Sequence, residues 1–130
     1  MTEENPIPIP VTPNNIWKWV STQLMEDSDV AALVGQKVFP YTTKDPQKIP
    51  WIVVDNIGIT YDEDKDDNEP YEATCTVICA TKTYTALNTL SDAVVAAVNE
   101  KDGCRVKERH QSYVDEIGYI EEVSLTIDLY

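Results

Sequence analysis

The sequence predicts an α+β fold: a two-layer sandwich in which a mainly antiparallel sheet carries two helices packed on one face. Three stretches predict it. From Tyr71 to Thr81, the residues Ala73, Cys75, Val77 and Cys79 alternate with Glu72, Thr74 and Thr76, which is the period of two of a half-buried strand. From Tyr84 the period lengthens, and Leu87, Leu90, Val94 and Val98 recur on one face of a helix running to Glu100. From Tyr119 to Tyr130 the period of two returns, with Val123, Leu125, Ile127 and Leu129 inward and Glu122, Ser124, Thr126 and Asp128 outward. A helix with one apolar face must lie on something, and the strands on either side of it supply the sheet.

The remaining elements follow in chain order. Met1 to Val11 carries Pro6, Pro8 and Pro10 at every second position, which forbids helix and sheet interior and favours an extended, polyproline-like arm. It reads either as a disordered terminus or as an arm that docks on a neighbouring subunit through Ile7, Ile9 and Val11. The rest, residues 12–130, reads as one α+β domain. Thr12 followed by Pro13 starts a helix that runs to Glu26, with Ile16, Trp17, Val20 and Leu24 in one stripe and Lys18, Ser21 and Gln23 toward water. Ser28 opens a short second helix through Val34, closed by Gly35. Lys37 to Tyr41 is a short strand. Trp51 to Val54, extended through Ile57 and Ile59, is an inner strand covered on both sides for part of its length. Lys101, Asp102 and Gly103 end the long helix, and Arg105 to Val114 is a polar strand suited to an exposed sheet edge.

Charge narrows the function classes. The chain of 130 residues has a net charge of −13, which argues against a surface that clamps nucleic-acid phosphates. Its short basic cluster is Arg105, Lys107 and Arg109, with Glu108 among them. Almost half of the net charge lies in one stretch, where Asp62, Glu63, Asp64, Asp66, Asp67, Glu69 and Glu72 face only Lys65. Asp62, Asp64 and Asp66 stand at alternate positions, as the oxygen ligands of a calcium loop do. The sixth position is Asp67 where that loop needs glycine, and the twelfth is Ala73 where it needs glutamate, so a solvated loop between strands is expected.

The cysteines carry no metal or disulfide signal. Cys75, Cys79 and Cys104 are odd in number, and no secretory leader is read at the N-terminus, so a reducing compartment is expected. Cys75 and Cys79 lie roughly 13 Å apart along a strand, too far for a disulfide. With His110 as the single histidine, no zinc set forms. No apolar run approaches the roughly 20 residues that span a bilayer, so no membrane partner is expected. No metal, cofactor or catalytic residue is assigned.

The amphipathic first helix, then DVAALVG from Asp29 to Gly35, KVFP from Lys37 to Pro40, IPWIVVD from Ile49 to Asp55, the strand TCTVICAT, the helix LSDAVVAAV and two closing strands resemble the small tail-completion proteins of long-tailed bacteriophages. The resemblance spans Ile16 to Leu129 and rests on hydrophobic pattern and turn residues. The proline arm and the acidic loop lie outside it. It implies a non-enzymatic structural virion protein of a phage or prophage, similar to tail terminators, which join head to tail. Such proteins form a ring, usually a hexamer, on the end of the tail tube, and meet the tube and head-connector proteins while DNA passes without specific binding. Assembly in the host cytoplasm is implied as well. In that setting Asp62, Glu63, Asp64, Asp66, Asp67 and Glu69 become candidates for a lumen or interface loop.

Two rivals stand beside this reading. A small-ligand module or enzyme on a similar fold would draw on His110 with Glu108 and Ser112, or on Asp55, but no strained turn or glycine-rich oxyanion loop accompanies them. A DNA mimic would exploit the charge of −13, yet mimicry needs carboxylates spread over a continuous face, and here they concentrate in one loop.

Overall fold

The structure is a computed structural model that describes residues 12–61 and 70–129. The first helix, α1 (Pro13–Glu26), starts where Thr12 Oγ1 accepts the Asn15 N–H at 3.3 Å, with proline at the first helical position. Ile16, Val20 and Leu24 are buried along one stripe, as the periodicity predicts. Ser21 is buried too, contrary to expectation. Its hydroxyl donates to the Lys18 carbonyl at 3.2 Å, so a small polar side chain satisfied within its own helix adjoins the apolar stripe without a stranded group. In α2 (Ser28–Val34) the cap is Asp27 rather than Ser28, its Oδ1 accepting the N–H groups of Asp29 and Val30, both at 3.0 Å. Gly35 follows at a φ of +63°, where a side chain would be strained.

The strands β1 (Val38–Pro40), β2 (Trp51–Tyr61), β3 (Pro70–Thr81), β4 (Cys104–Val114) and β5 (Gly118–Asp128), with the helix α3 (Tyr84–Val98) between β3 and β4, form one sheet in the order β1-β2-β3-β5-β4. Every pairing is antiparallel except β1 with β2, which is parallel because the chain loops back through residues 41–50 before starting β2. From β3 the chain crosses over α3 to β4, leaving a strand's width between them. The β4–β5 hairpin then folds β5 into that gap. The polar β4 is therefore an edge, as its composition predicts.

All three helices contribute to one core on one face of the sheet. Ile52, Val54, Ala73, Cys75, Val77, Cys79, Val123, Leu125 and Ile127 face it from the strands, and the α3 residues Leu87, Leu90, Val94 and Val98, themselves 1% exposed or less, face it from the helix. Burying such a side chain is worth about 1.5–3 kcal/mol. The helix α3 stops at Val98, short of Glu100, because Asn99 turns extended and its Oδ1 accepts the Val106 N–H at 3.0 Å.

The opposite face is covered for part of its length, as the continuous apolar run from Trp51 to Val54 predicts. At one end it carries a second apolar cluster, Trp51, Val53, Ala80 and Ile120, with Phe39 and Ile78 packed against it. The 41–50 loop accounts for this: it bends toward the cluster and accepts the Trp51 indole N–H at the Pro46 carbonyl, 2.8 Å away. Toward the other end the face becomes Thr74, Thr76, Ser124 and Thr126. Among the described residues, no helix is long and apolar enough to cross a membrane.

Candidate assembly surfaces

The two ends of the sheet differ in what they offer. At one end Tyr61 pairs with Pro70, and the acidic stretch joins them. The start of α1 lies toward the same end, where Asn15, Ile16 and Trp19 share a groove with Asp102, Ile127 and Asp128. Both sequence-predicted assembly elements, the arm with Ile7, Ile9 and Val11 and the loop with Asp62, Glu63, Asp64, Asp66, Asp67 and Glu69, therefore attach at this end. Those residues themselves lie outside the described ones.

At the far end a surface cleft of about 610 Å³ is walled by Leu33 from α2, by Ile49 and Pro50 ahead of β2, and by Tyr113 and Ile117 at the β4–β5 turn. Leu33 and Tyr113 are exposed, at 39% and 60%. Tyr113 packs edge-on to Tyr119 at 5.1 Å, and Tyr119 lies 5.9 Å from Tyr84, so the cleft borders an aromatic row. Gly118 closes the turn at a φ of +136°, and a Cβ there would stand 2.4 Å from the Thr81 carbonyl oxygen. The close approach of the two strands at this point requires glycine.

Between the ends, α3 and β4 are joined by a polar network. Arg109 donates through Nε to Glu121 Oε2, and through Nη2 to Ser91 Oγ at 3.0 Å and Asp92 Oδ1 at 2.9 Å. Gln111 Nε2 donates to Glu121 Oε1 at 2.7 Å and to Asn88 Oδ1 at 2.8 Å, and its Oε1 accepts from the Tyr84 hydroxyl at 2.9 Å. Glu121 is 1% exposed, and both its oxygens are engaged. The bond to Glu121, with a further contribution from Asp92, holds the Arg109 guanidinium above its ordinary pKa, so the clamp stays charged. This network was not foreseen. A signal existed, because carrying the alternation of Val123, Leu125 and Ile127 back one step turns Glu121 inward.

The candidates for chemistry are dispersed. His110 is exposed, with Nε2 3.2 Å from Glu108 Oε2, and among the described residues no hydrogen bond joins Ser112 to it. Asp55 sits at an irregularity in β2, where its Oδ1 accepts the Asn56 N–H at 2.6 Å. Cys75, Cys79 and Cys104 are all free and buried. Burial, with Cys104 nearby, pushes the Cys75 thiol up to about 12; burial pushes Cys104 up to about 11, and burial followed by the Glu121 charge raises Cys79 further. They remain thiols at neutral pH, unsuited to nucleophilic attack or metal binding. Among the described residues no group of three histidines, cysteines or carboxylates stands ready for a metal ion.

The model of the family described as tail completion protein gp17 matches residues 19–109, from within α1 to within β4. The chain belongs to that tail completion family. The match covers β1 to β3 and α3, the framework on which the two ends described above are built. Membership makes the chain a structural component of a phage-type tail. Among solved structures, the fold is similar to that of a chain from a structure described as the virion of a native gene transfer agent particle. The two share 16% identity with a TM-score of 0.64, over 84% of this chain and 90% of that one. At that identity the likeness shows the fold alone. No curated protein matches the chain.

Proposed function

We propose that this tail completion protein acts as a tail terminator, a head-to-tail joining part that forms a homo-oligomeric ring, with six subunits, on the end of the tail tube. Its membership of the tail completion family carries this reading. Likeness to a chain from a phage-like particle supports it at the level of fold. The subunit contacts the tube on one side and the head connector on the other, after assembly in the host cytoplasm. A closed ring needs contacts between unlike surfaces of successive subunits, and the unlike ends of the sheet suit that requirement. The acidic stretch, Asp62, Glu63, Asp64, Asp66, Asp67 and Glu69, lines the lumen, where like charge lets DNA slide without the salt-sensitive grip of basic residues.

The test is complementation of tails that lack their terminator. Added protein is expected to cap them with rings visible by negative stain, and to end tube overgrowth. Tails left uncapped at saturating protein would overturn the reading. Replacing the six loop carboxylates with Asn and Gln is expected to spare folding and capping but to lower the infectivity of the particles.

A further inference from the structure

We infer that the cleft at the far end of the sheet receives the N-terminal arm of a second copy of this chain, residues Pro6–Val11 seating against Tyr113. The inference rests on the ring reading above and specifies one of its contacts. The chemistry of the two surfaces matches. A polyproline helix has three residues per turn and no internal hydrogen bonds, so Pro-Ile-Pro-Ile-Pro-Val is apolar on all three of its edges and leaves no polar side for water. Segments of that kind dock in grooves lined by aromatic rings, because their backbone is already ordered and little entropy is lost. Here the groove is walled by Leu33, Ile49, Pro50 and Ile117, with the exposed Tyr113 ring braced by Tyr119. Glu3 and Glu4 precede the proline segment, and exposed Lys82 stands on the cleft, with Glu116 as the opposing charge there.

Reach decides which copy supplies the arm. The start of α1 borders Pro40, Tyr41 and Ile57 on one side and Asp128 of β5 on the other, while the cleft lies at Thr81, which pairs with Tyr119. Along the strands that separation is about 13 Å measured from Pro40, which is level with Val77, and about 30 Å measured from Asp128, at 3.3 Å per residue. Ile7 is five residues ahead of Thr12 and extends about 16 Å in a polyproline helix; Ile9 and Val11 extend less. A subunit's own arm brings at most its far residues, Pro6 and Ile7, to its own cleft and cannot lay the whole segment Pro6–Val11 along it, because Val11 is tethered next to Thr12. The contact therefore joins unlike ends of different subunits, the arrangement that rings require.

The experiment titrates isotope-labelled full-length protein with a synthetic peptide of residues 1–12 and follows backbone amide shifts by NMR. The expected result is a saturable set of shifts centred on Lys82, Tyr113 and Ile117. It should weaken at least tenfold for the peptide carrying Ile7→Asp and Ile9→Asp, and equally for protein carrying Tyr113→Asp, whose exposed position spares the fold. Absence of shifts up to millimolar peptide overturns the inference, as do shifts at the other end of the sheet or shifts that survive both substitutions. Capping of terminator-deficient tails is scored separately. Caps without peptide binding sink the arm contact and leave the ring reading standing; peptide binding without caps does the reverse.

Discussion

The helix α3 makes two seams with the sheet, and they hold by different physics. Over β3 and β5 it sets down Leu87, Leu90, Val94 and Val98, whose contribution follows from area removed from water and has no direction. Over β4 it sets down Tyr84, Asn88, Ser91 and Asp92, which hydrogen-bond to Arg109 and Gln111, the two side chains that hold Glu121. The apolar seam degrades in proportion to what is removed. The polar seam depends on completeness, since the buried Glu121 carboxylate becomes a liability once its partner is gone.

Substitutions can break or sharpen that contrast. The largest effect is expected for Leu87→Ala, a fully buried site, at about 3 kcal/mol lost in urea denaturation with an unchanged slope. Arg109→Met should follow at about 2 kcal/mol, below the cost of breaking a fully buried pair because the Arg109 side chain is 36% exposed and Glu121 keeps Gln111. Adding Glu121→Leu to Arg109→Met should restore at least half of that loss, whereas a further decline would show that the carboxylate is held by more than the arginine. The smallest effect belongs to Asp92→Asn, at about 0.5 kcal/mol or less, because Asp92 is 71% exposed. A cost for Asp92→Asn equal to that for Arg109→Met would erase the distinction between a buried clamp and a solvent-exposed bridge.

The apolar seam was legible in the sequence and the polar seam was not. The spacing of Leu87, Leu90, Val94 and Val98 announces a buried face whatever lies beneath it. Tyr84, Asn88, Ser91 and Asp92 also share a helical face, but they read as solvated until β4 is known to run below them. The buried Ser21 escaped for the same reason. It depends on the packing of α1, whereas the apolar run from Trp51 to Val54 announced cover on both sides and left open only that the 41–50 loop supplies it. Of the residues expected to serve assembly, Ile7, Ile9 and Val11 were named from proline spacing, and the six loop carboxylates from their charge together with the family resemblance. The cleft was not named, because Leu33, Ile49, Tyr113 and Ile117 come from separate stretches that no local pattern connects.

The sequence by itself determined which side of each element is buried, where helices begin, and that β4 is an edge, because side-chain direction follows from local backbone periods and from capping within a few residues. Tertiary structure alone decided that β5 slips between β3 and β4, that β1 runs parallel to β2, and that a cleft opens at the end of the sheet away from the start of α1. Those outcomes depend on how distant segments meet, and adjacency between residues far apart in the chain is a property of the path the whole backbone takes. Arg109 and Glu121 show the division: each has its facing set by its own strand, and only the hairpin that returns β5 beside β4 brings guanidinium and carboxylate together.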